Sequence, residues 1–322
     1  MSTRIGIIGL ALALATSVIS PAGAQTEAAH LVALGDVIGA VESAHTVTIS
    51  AYTLTPRGRL ARALVIAANG GARVHLVLDG KGMAGAVRSN VKANAELCAA
   101  TGGRAVTDDG DQLLRHTCVG RLAIDFSNFA LHLKGCVTDN GGSFVSDRNW
   151  TSSRRSIILA LPSADAPTLD RAISGSAASI GAFSTRKAES LRNEVALLTT
   201  RRTRTVLVET ESFGPSILSD LLMKRARAGD DVTLVVARYE LQNSASEQRL
   251  VASLVAAGVK VYAGTSDEKI AVDGDAVWTG SSNATAGVPA QVDWGYMAVN
   301  RDLAQTLAAH VRSNAALATA VR

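Results

Sequence analysis

The sequence predicts an α/β protein built from two similar lobes packed side by side. Three observations predict it. Helix and strand patterns alternate along the chain, the pattern of the first half returns in the second, and a polar segment with the same internal spacing sits at the matching place in each half.

The elements follow in order. Residues Gln25–Ala44 have the periodicity of an amphipathic helix, and Thr46–Leu54 (TVTISAYTL) reads as a strand. A helix over Arg59–Asn69 is closed by Gly70-Gly71 and followed by the strand Arg73–Asp79 (RVHLVLD). Ala84–Ala100 is a helix and Arg104–Thr107 a short strand. The second half gives a strand at Thr205–Glu211, a helix at Ile217–Ala228 stopped by Gly229, and a strand at Asp231–Ala237. A helix at Glu247–Ala257, a strand at Val259–Ala263 and a closing helix at Asp302–Ala318 complete it. Residues 69–78 (NGGARVHLVL) and 227–236 (RAGDDVTLVV) repeat one helix–glycine–strand unit. The first lobe is expected over 25–184 and the second over 185–322, with 185–200 forming the linking helix.

Residues 1–24 read as a signal peptide. Arg4 is a short positive region, Ile5–Ile19 an apolar run, and Ala22-Gly23-Ala24 a small-residue cleavage site. The run is too short to span a membrane, and no later stretch reaches the length of a transmembrane helix. A secreted or periplasmic protein is expected. With 322 residues, 47% hydrophobic and 19% charged, the chain is too apolar for disorder, and its net charge of +4 identifies no partner. Only 4% of residues are aromatic, which counts against a base-stacking surface. Export permits disulfides, and the preferred pair among three cysteines is Cys98–Cys118, with Cys136 in a buried strand; three free thiols is the alternative.

The chemistry concentrates in two segments. The first runs His132-Leu-Lys134 to Asp139, then Ser146-Asp147-Arg148-Asn149; the second runs Lys269 to Asp273, then Gly280-Ser281-Ser282-Asn283. In both, strand, turn and strand lead to an asparagine ten residues beyond the aspartate. His132 and Lys134, two apart in extended chain, share a face.

These segments resemble the motif of the phospholipase D superfamily, H-x-K-x4-D followed by G-S-x-N, carried once per lobe. The resemblance covers nearly all of the chain after the leader through the repeat. It implies phospholipase D-like α/β lobes, with mixed sheets flanked by helices and the two motifs meeting at the lobe interface. It implies that His132 attacks phosphorus and becomes a phosphohistidine, while Lys134, Asn149, Asn283 and Lys269 hold the phosphate oxygens. Asp139 and Asp273 would brace the motif, with Ser281 and Glu268 in support. No metal or cofactor is required: cationic and amide donors suit the charge spread over a phosphodiester transition state.

The chain departs from the motif twice. The first asparagine turn is S-D-R-N, which puts Asp147 where a small hydroxyl residue belongs. The second half has no H-x-K. Counting back from Asp273 sets Ser266 opposite His132 and Glu268 opposite Lys134, leaving Lys269 one residue out of register unless a bulge returns it. The general acid is therefore open among His116, Glu268 and Asp267. In the family a carboxylate after the asparagine orients a histidine; here it is Asp293, in the half that lacks one.

The sequons at Asn149 and Asn283 are read as part of the pocket motif, and the basic clusters at Arg154-Arg155 and Arg201–Arg204 as solvated faces. Two function classes follow. One is a monomeric exported phosphodiesterase or phosphatidyl transferase, with a phospholipid head group favoured as substrate over nucleic acid. The other is a non-catalytic relative that binds a phosphorylated ligand.

Overall fold

The structure is a computed structural model describing residues 28–107, 116–150, 156–200, 202–265, 268–285 and 290–321, with the side chains of 106, 107 and 116 outside the description. The leader, Ser266, Asp267, Arg154, Arg155 and Arg201 therefore lie outside the described residues.

The strands of the first half are β1 (His30–Leu31), β2 (Thr46–Ala51), β3 (Arg73–Leu78), β4 (Arg104–Thr107), β5 (His116–Val119), β6 (Leu122–Phe126), β7 (Gly135–Thr138), β8 (Ser143–Ser146) and β9 (Ile158–Ala160). They form one sheet in the order β1-β9-β8-β7-β2-β3-β6-β5-β4. The second half supplies β10 (Ser179–Ile180), β11 (Phe183–Arg186), β12 (Thr205–Thr210), β13 (Asp231–Ala237), β14 (Lys260–Gly264), β15 (Ile270–Asp273), β16 (Ala276–Gly280), β17 (Val292–Val299) and β18 (Thr319–Ala320). Their order is β10-β11-β17-β16-β15-β12-β13-β14-β18.

The run β9-β8-β7-β2-β3-β6 in one sheet corresponds to β17-β16-β15-β12-β13-β14 in the other. In each, the two central strands pair in parallel and the neighbouring hairpin joins antiparallel. Mixed sheets and two similar lobes are thus as the sequence implies. The second sheet already begins at Ser179, ahead of residue 185.

The helices are α1 (Leu34–Ser43), α2 (Arg59–Asn69), α3 (Ala84–Ala100), α4 (Ala166–Ile173), α5 (Lys187–Thr199), α6 (Ile217–Arg227), α7 (Arg238–Asn243), α8 (Ala245–Ala256) and α9 (Arg301–Leu317). Period-two alternation assigns each strand face to a different core. Leu76 packs under α1–α3 while Val77 faces the other way; Leu234 packs under α6 and α8 while Val235 faces the other way. Val77, Val145 and Leu159 of the first sheet meet Leu207, Val235 and Ile270 of the second in one apolar core shared with α4 and α9. The lobes are held together by this core.

Arg59–Asn69 and Ala84–Ala100 match the sequence expectation residue for residue. In the repeated helix–strand unit, Gly71 (φ +108°) and Gly229 (φ +83°) both adopt the left-handed conformation that favours glycine. Gln25–Ala44 needs correction. Its described part is not one helix: His30–Leu31 pairs antiparallel with β9, and the helix begins only at Leu34. Pairing to the edge of a sheet overrides a helical period in so short a segment. The preferred cysteine pair is present: Cys98–Cys118 joins α3 to β5, and Cys136 is a buried free thiol pushed up to about 12 by burial.

Asp273 ends β15 in a buried polar knot. It accepts hydrogen bonds from the Arg202 N–H (3.1 Å), the Thr203 N–H (2.7 Å) and hydroxyl (2.8 Å), and the Arg225 guanidinium (3.0 Å). Arg225 is itself buried and also paired with Asp230. Removing one partner of a buried pair leaves the other charge uncompensated. Asp273→Ala is therefore expected to lower unfolding free energy by about 3–5 kcal/mol in urea titration. A loss below about 1 kcal/mol would show that Asp273 is no brace.

Candidate active site

The site is made by a short strand-like contact between the lobes. Leu131 bridges in parallel to Val292; the His132 N–H donates to the Val292 carbonyl (2.8 Å), and the Val292 N–H donates to the Ala130 carbonyl (2.9 Å). The residue after Val292 is Asp293, so the pairing sets His132 beside it. His132 Nδ1 lies 2.8 Å from Asp293 Oδ1. A carboxylate only accepts, so Nδ1 carries the proton and Nε2 presents its lone pair. Nε2 has no hydrogen-bond partner among the described residues.

The carboxylate is held in turn. Ser281 Oγ donates to Asp293 Oδ1 (2.7 Å) and accepts from the Trp294 N–H (3.0 Å), while Trp294 Nε1 donates across the lobes to the Ser146 carbonyl (2.8 Å). Burial and the Lys134 charge pull the His132 imidazole below its ordinary value, with Asp293 opposing. Burial pushes Asp293 upward, but interaction with His132 and Lys134 and the hydrogen bond from Ser281 prevail and bring it to about 2. At neutral pH the pair is a neutral imidazole on an ionised carboxylate.

Lys134 is buried directly before β7, where Ser50 on β2 fixes the backbone on both sides. The Ser50 hydroxyl donates to the Leu133 carbonyl (3.0 Å) and accepts from the Gly135 N–H (3.1 Å). Burial, then the nearby Lys269 charge, draw Lys134 down to about 7. Both motif side chains meet the ring of Tyr52: the His132 ring at 5.2 Å edge-on, and Lys134 Nζ at 6.0 Å. They share a face as their spacing implies, while Leu133 points into the interface core. Lys269 Nζ donates to Glu211 Oε2 (2.8 Å).

The register of the two sheets corrects the sequence count. Val47 pairs with Thr138 and Val206 with Asp273 at the same point of each sheet. The Ser146 N–H bonds to the Lys134 carbonyl as the Gly280 N–H bonds to the Lys269 carbonyl. Lys269 is therefore the counterpart of Lys134 without any bulge, Glu268 is the counterpart of Leu133, and Asp273 that of Thr138. The β15–β16 hairpin is one residue shorter than the β7–β8 hairpin, which is why counting from the aspartates misleads. Counting from the lysines sets residue 267, an aspartate, opposite His132.

Asn149 and Asn283 close the two turns at matching points. Asn149 Oδ1 accepts the Thr53 N–H (2.9 Å), which leaves its amide donors to the pocket; Asn283 Oδ1 is buried without a partner. Asp139 is not in the pocket. It is exposed at the far end of the hairpin, where it accepts the His45 N–H (3.0 Å), and Asp273 occupies the same end in its lobe.

Glu268 is fully buried. It pairs with Arg148 across the lobes (2.8 Å) and with His310 of α9 (3.5 Å). Glu209, Glu268 and His310 come within 4.8 Å of one another, and the Arg148 guanidinium provides a cation there. Of the proposed acids, Asp267 and the His116 side chain lie outside the described residues, and Glu268 is held low by His310 and Arg148 against its burial.

Sequence reasoning missed Tyr52, Glu211 and Lys187, the last a buried lysine of α5 donating to Thr285 Oγ1 (3.2 Å) within reach of the Asp293 charge. Each is an ordinary residue locally and acquires meaning only from the fold. Asp293 was visible, and its partner in the other lobe was not.

No protein-family model and no curated protein matches the sequence. Solved structures do match. The phosphatidylserine synthase of Haemophilus influenzae superposes with a TM-score of 0.62 at 10% identity, over 92% of this chain and 88% of that one. The polyphosphate kinase of Porphyromonas gingivalis gives 0.60 at 12% identity, over 88% of this chain and 46% of that one, so this chain spans about half of the kinase. Both belong to the phospholipase D superfamily, and at these identities the likeness is one of fold. The chain has the two-lobed fold of that superfamily.

If Asp293 fixes the Nδ1–H tautomer, Asp293→Asn should lower any His132-dependent turnover by about 10²- to 10⁴-fold while binding changes little. Steady-state kinetics on the purified variant checks this; an equal loss in kcat and in ligand affinity would contradict it.

Proposed function

We propose that the protein is a phospholipase D-like phosphodiesterase that works through a phosphohistidine on His132. The observation that carries this is the cross-lobe hydrogen bond from His132 Nδ1 to Asp293, in a pocket where two lysines converge. A binding protein has no need of an imidazole held in one tautomer by a buried carboxylate, whereas a nucleophile does.

The steps follow from the groups in place. A phosphodiester enters with its non-bridging oxygens toward Lys134, Lys269 and the amide groups of Asn149 and Asn283. Nε2 of the neutral imidazole attacks phosphorus, and the ester oxygen opposite it leaves. The ring becomes cationic as the N–P bond forms, and Asp293 stabilises that charge through the Nδ1 hydrogen bond. Water or an alcohol then attacks phosphorus, and the N–P bond breaks. No step calls for a metal or cofactor.

The substrate class we favour is a phospholipid head group. Two exposed apolar side chains support this reading: Met83 follows β3, its backbone N–H bonded to the Tyr52 hydroxyl (3.3 Å), and Tyr239 follows β13. Tyr239 also lines a cleft of 420 Å³ with Glu211, the partner of Lys269. Such side chains on two rims of one site suit an amphiphile better than a polyanion. The leader at residues 1–24 supports export to the periplasm or beyond, and no described helix is long and apolar enough to cross a membrane. A monomer is expected.

The test is product release by residues 25–322 from phospholipid vesicles, bis(4-nitrophenyl) phosphate and single-stranded DNA, each beside His132→Ala. Activity on vesicles, reduced about 10⁴-fold or more in the variant, is the expected result. Activity confined to DNA would replace the lipid by a nucleic acid, and full activity in His132→Ala would end the phosphohistidine reading. Because only the neutral imidazole attacks and its value is lowered, activity should fall on the acid side below pH 6.5, and it should fall again above about pH 7 as Lys134 loses its charge. An acid limb centred above pH 6.5 would contradict the assignment.

A further inference from the structure

The short pairing that carries His132 has two edges. Toward the second lobe, Ala130 and His132 bond to Val292, and Leu131 is the residue that bridges to it. In a parallel bridge the central residue turns its own N–H to the opposite edge. Leu131 is buried, so that N–H needs an acceptor within the first lobe. A side chain supplies it: Asp79 Oδ1 accepts the Leu131 N–H (3.1 Å).

Asp79 directly follows β3 and is fully buried. Its N–H donates to the Ala51 carbonyl (3.1 Å), which extends the β2–β3 ladder and anchors the residue to the sheet. Oδ1 also accepts the Lys81 N–H (3.4 Å), and Oδ2 accepts the Gly82 N–H (2.5 Å). Gly82 sits so close to Asp79 and Tyr52 that a Cβ there would have no room. Asn90 of α3 donates to the carbonyls of Asp79 (3.0 Å) and Tyr52 (2.8 Å). One buried carboxylate thus ties the end of the sheet, the turn beside Tyr52 and the strand of His132 together. Burial pushes the Asp79 carboxyl up, while its three N–H donors and the His132 charge pull it down, so the two side chains lie in electrostatic reach. The second lobe has no such group. The ladders Thr46–Arg73 and Thr205–Asp231 start at the same point of each sheet, so Ala237 stands where the first lobe has Asp79. The clamp belongs to the lobe that carries the histidine.

We propose that Asp79 is a positioning residue for His132. Its carboxylate stands in for a strand on the inner edge of 130–132, and so fixes the distance and angle at which Nε2 meets phosphorus. The proposal rests on the phosphohistidine reading above. Val292 holds the same stretch from the second lobe, so without Asp79 it is gripped on one edge only. Displacing a reacting group by about 1 Å lowers turnover about 10²-fold. Lys134 is fixed separately, through the Ser50 hydroxyl on either side of it, so the phosphate is still held.

The experiment compares wild type, Asp79→Ala and Asp79→Asn on bis(4-nitrophenyl) phosphate, and reads the Nδ1–H proton resonance of His132 in each folded protein without substrate. The asparagine keeps an oxygen for Leu131 and gives up the bond to Gly82. Asp79→Ala should lower kcat about 10²-fold with KM within about threefold, and should shift or broaden the resonance. Asp79→Asn should stay within about tenfold of wild type and keep the resonance. Asp79→Ser, too short to reach Leu131, takes the place of the alanine if that variant does not fold. An unmoved resonance or an unchanged kcat in the short variants would overturn the role of Asp79. So would a loss shared equally by kcat and affinity, or a loss in Asp79→Asn as large as in Asp79→Ala. Trapping of labelled phosphate on His132 separates the two readings. Label in the wild type with full turnover in Asp79→Ala sinks this inference alone. No label with any phosphodiester ends the phosphohistidine reading, while the resonance still decides whether Asp79 holds the ring.

Discussion

The site depends on one short contact between the lobes, the backbone pairing of Ala130–His132 with Val292. It is a pair of hydrogen bonds at 2.8 and 2.9 Å, seated on the apolar core that Leu131, Leu133 and Val292 help to fill. Because the two chains run parallel there, the residue after each pairing point lands at the same level, which puts His132 of one lobe against Asp293 of the other. Neither lobe has the dyad alone. Packing of ordinary aliphatic residues thereby sets the tautomer of an imidazole, a link between core energetics and chemistry that a single-lobe protein could achieve only by pairing two copies.

The second constraint is electrostatic. Two lysines, a histidine and several carboxylates are buried together, and each alone would be unstable there. They persist because charges are matched: Lys269 has Glu211, Arg148 has Glu268, and the Asp293 carboxylate takes hydrogen bonds from the His132 ring and Ser281 and feels the Lys134 charge. Lys134 meets an aromatic face and, among the described residues, no carboxylate in contact, and burial and the Lys269 charge draw it down to about 7.

How much of this was legible beforehand varies with range. Local signals fixed local structure: glycine stops and apolar period gave α2 and α3 residue for residue, and the repeat gave two lobes. His132, Lys134 and Asn149 could be read because they lie within one short segment. The second half was harder. The equal spacing from Asp139 to Asn149 and from Asp273 to Asn283 is a coincidence of unequal hairpins, and only the strand pairing shows that Lys269 matches Lys134. Asp293 stands in the half that lacks a histidine, and the histidine it meets is 161 residues away. Tyr52, Glu211 and Lys187 carry no signature in a single sequence, since nothing but the fold brings them to the pocket.

The central claim is that Asp293 holds His132 as a neutral Nδ1–H imidazole across the lobe interface. The most direct measurement is the long-range proton–nitrogen NMR spectrum of the His132 ring, followed through its titration in wild type and Asp293→Asn. The account predicts the Nδ1–H tautomer with a midpoint below 6.5 in the wild type, and a change of tautomer population in the variant. An Nε2–H ring, or a spectrum indifferent to Asp293, would contradict it.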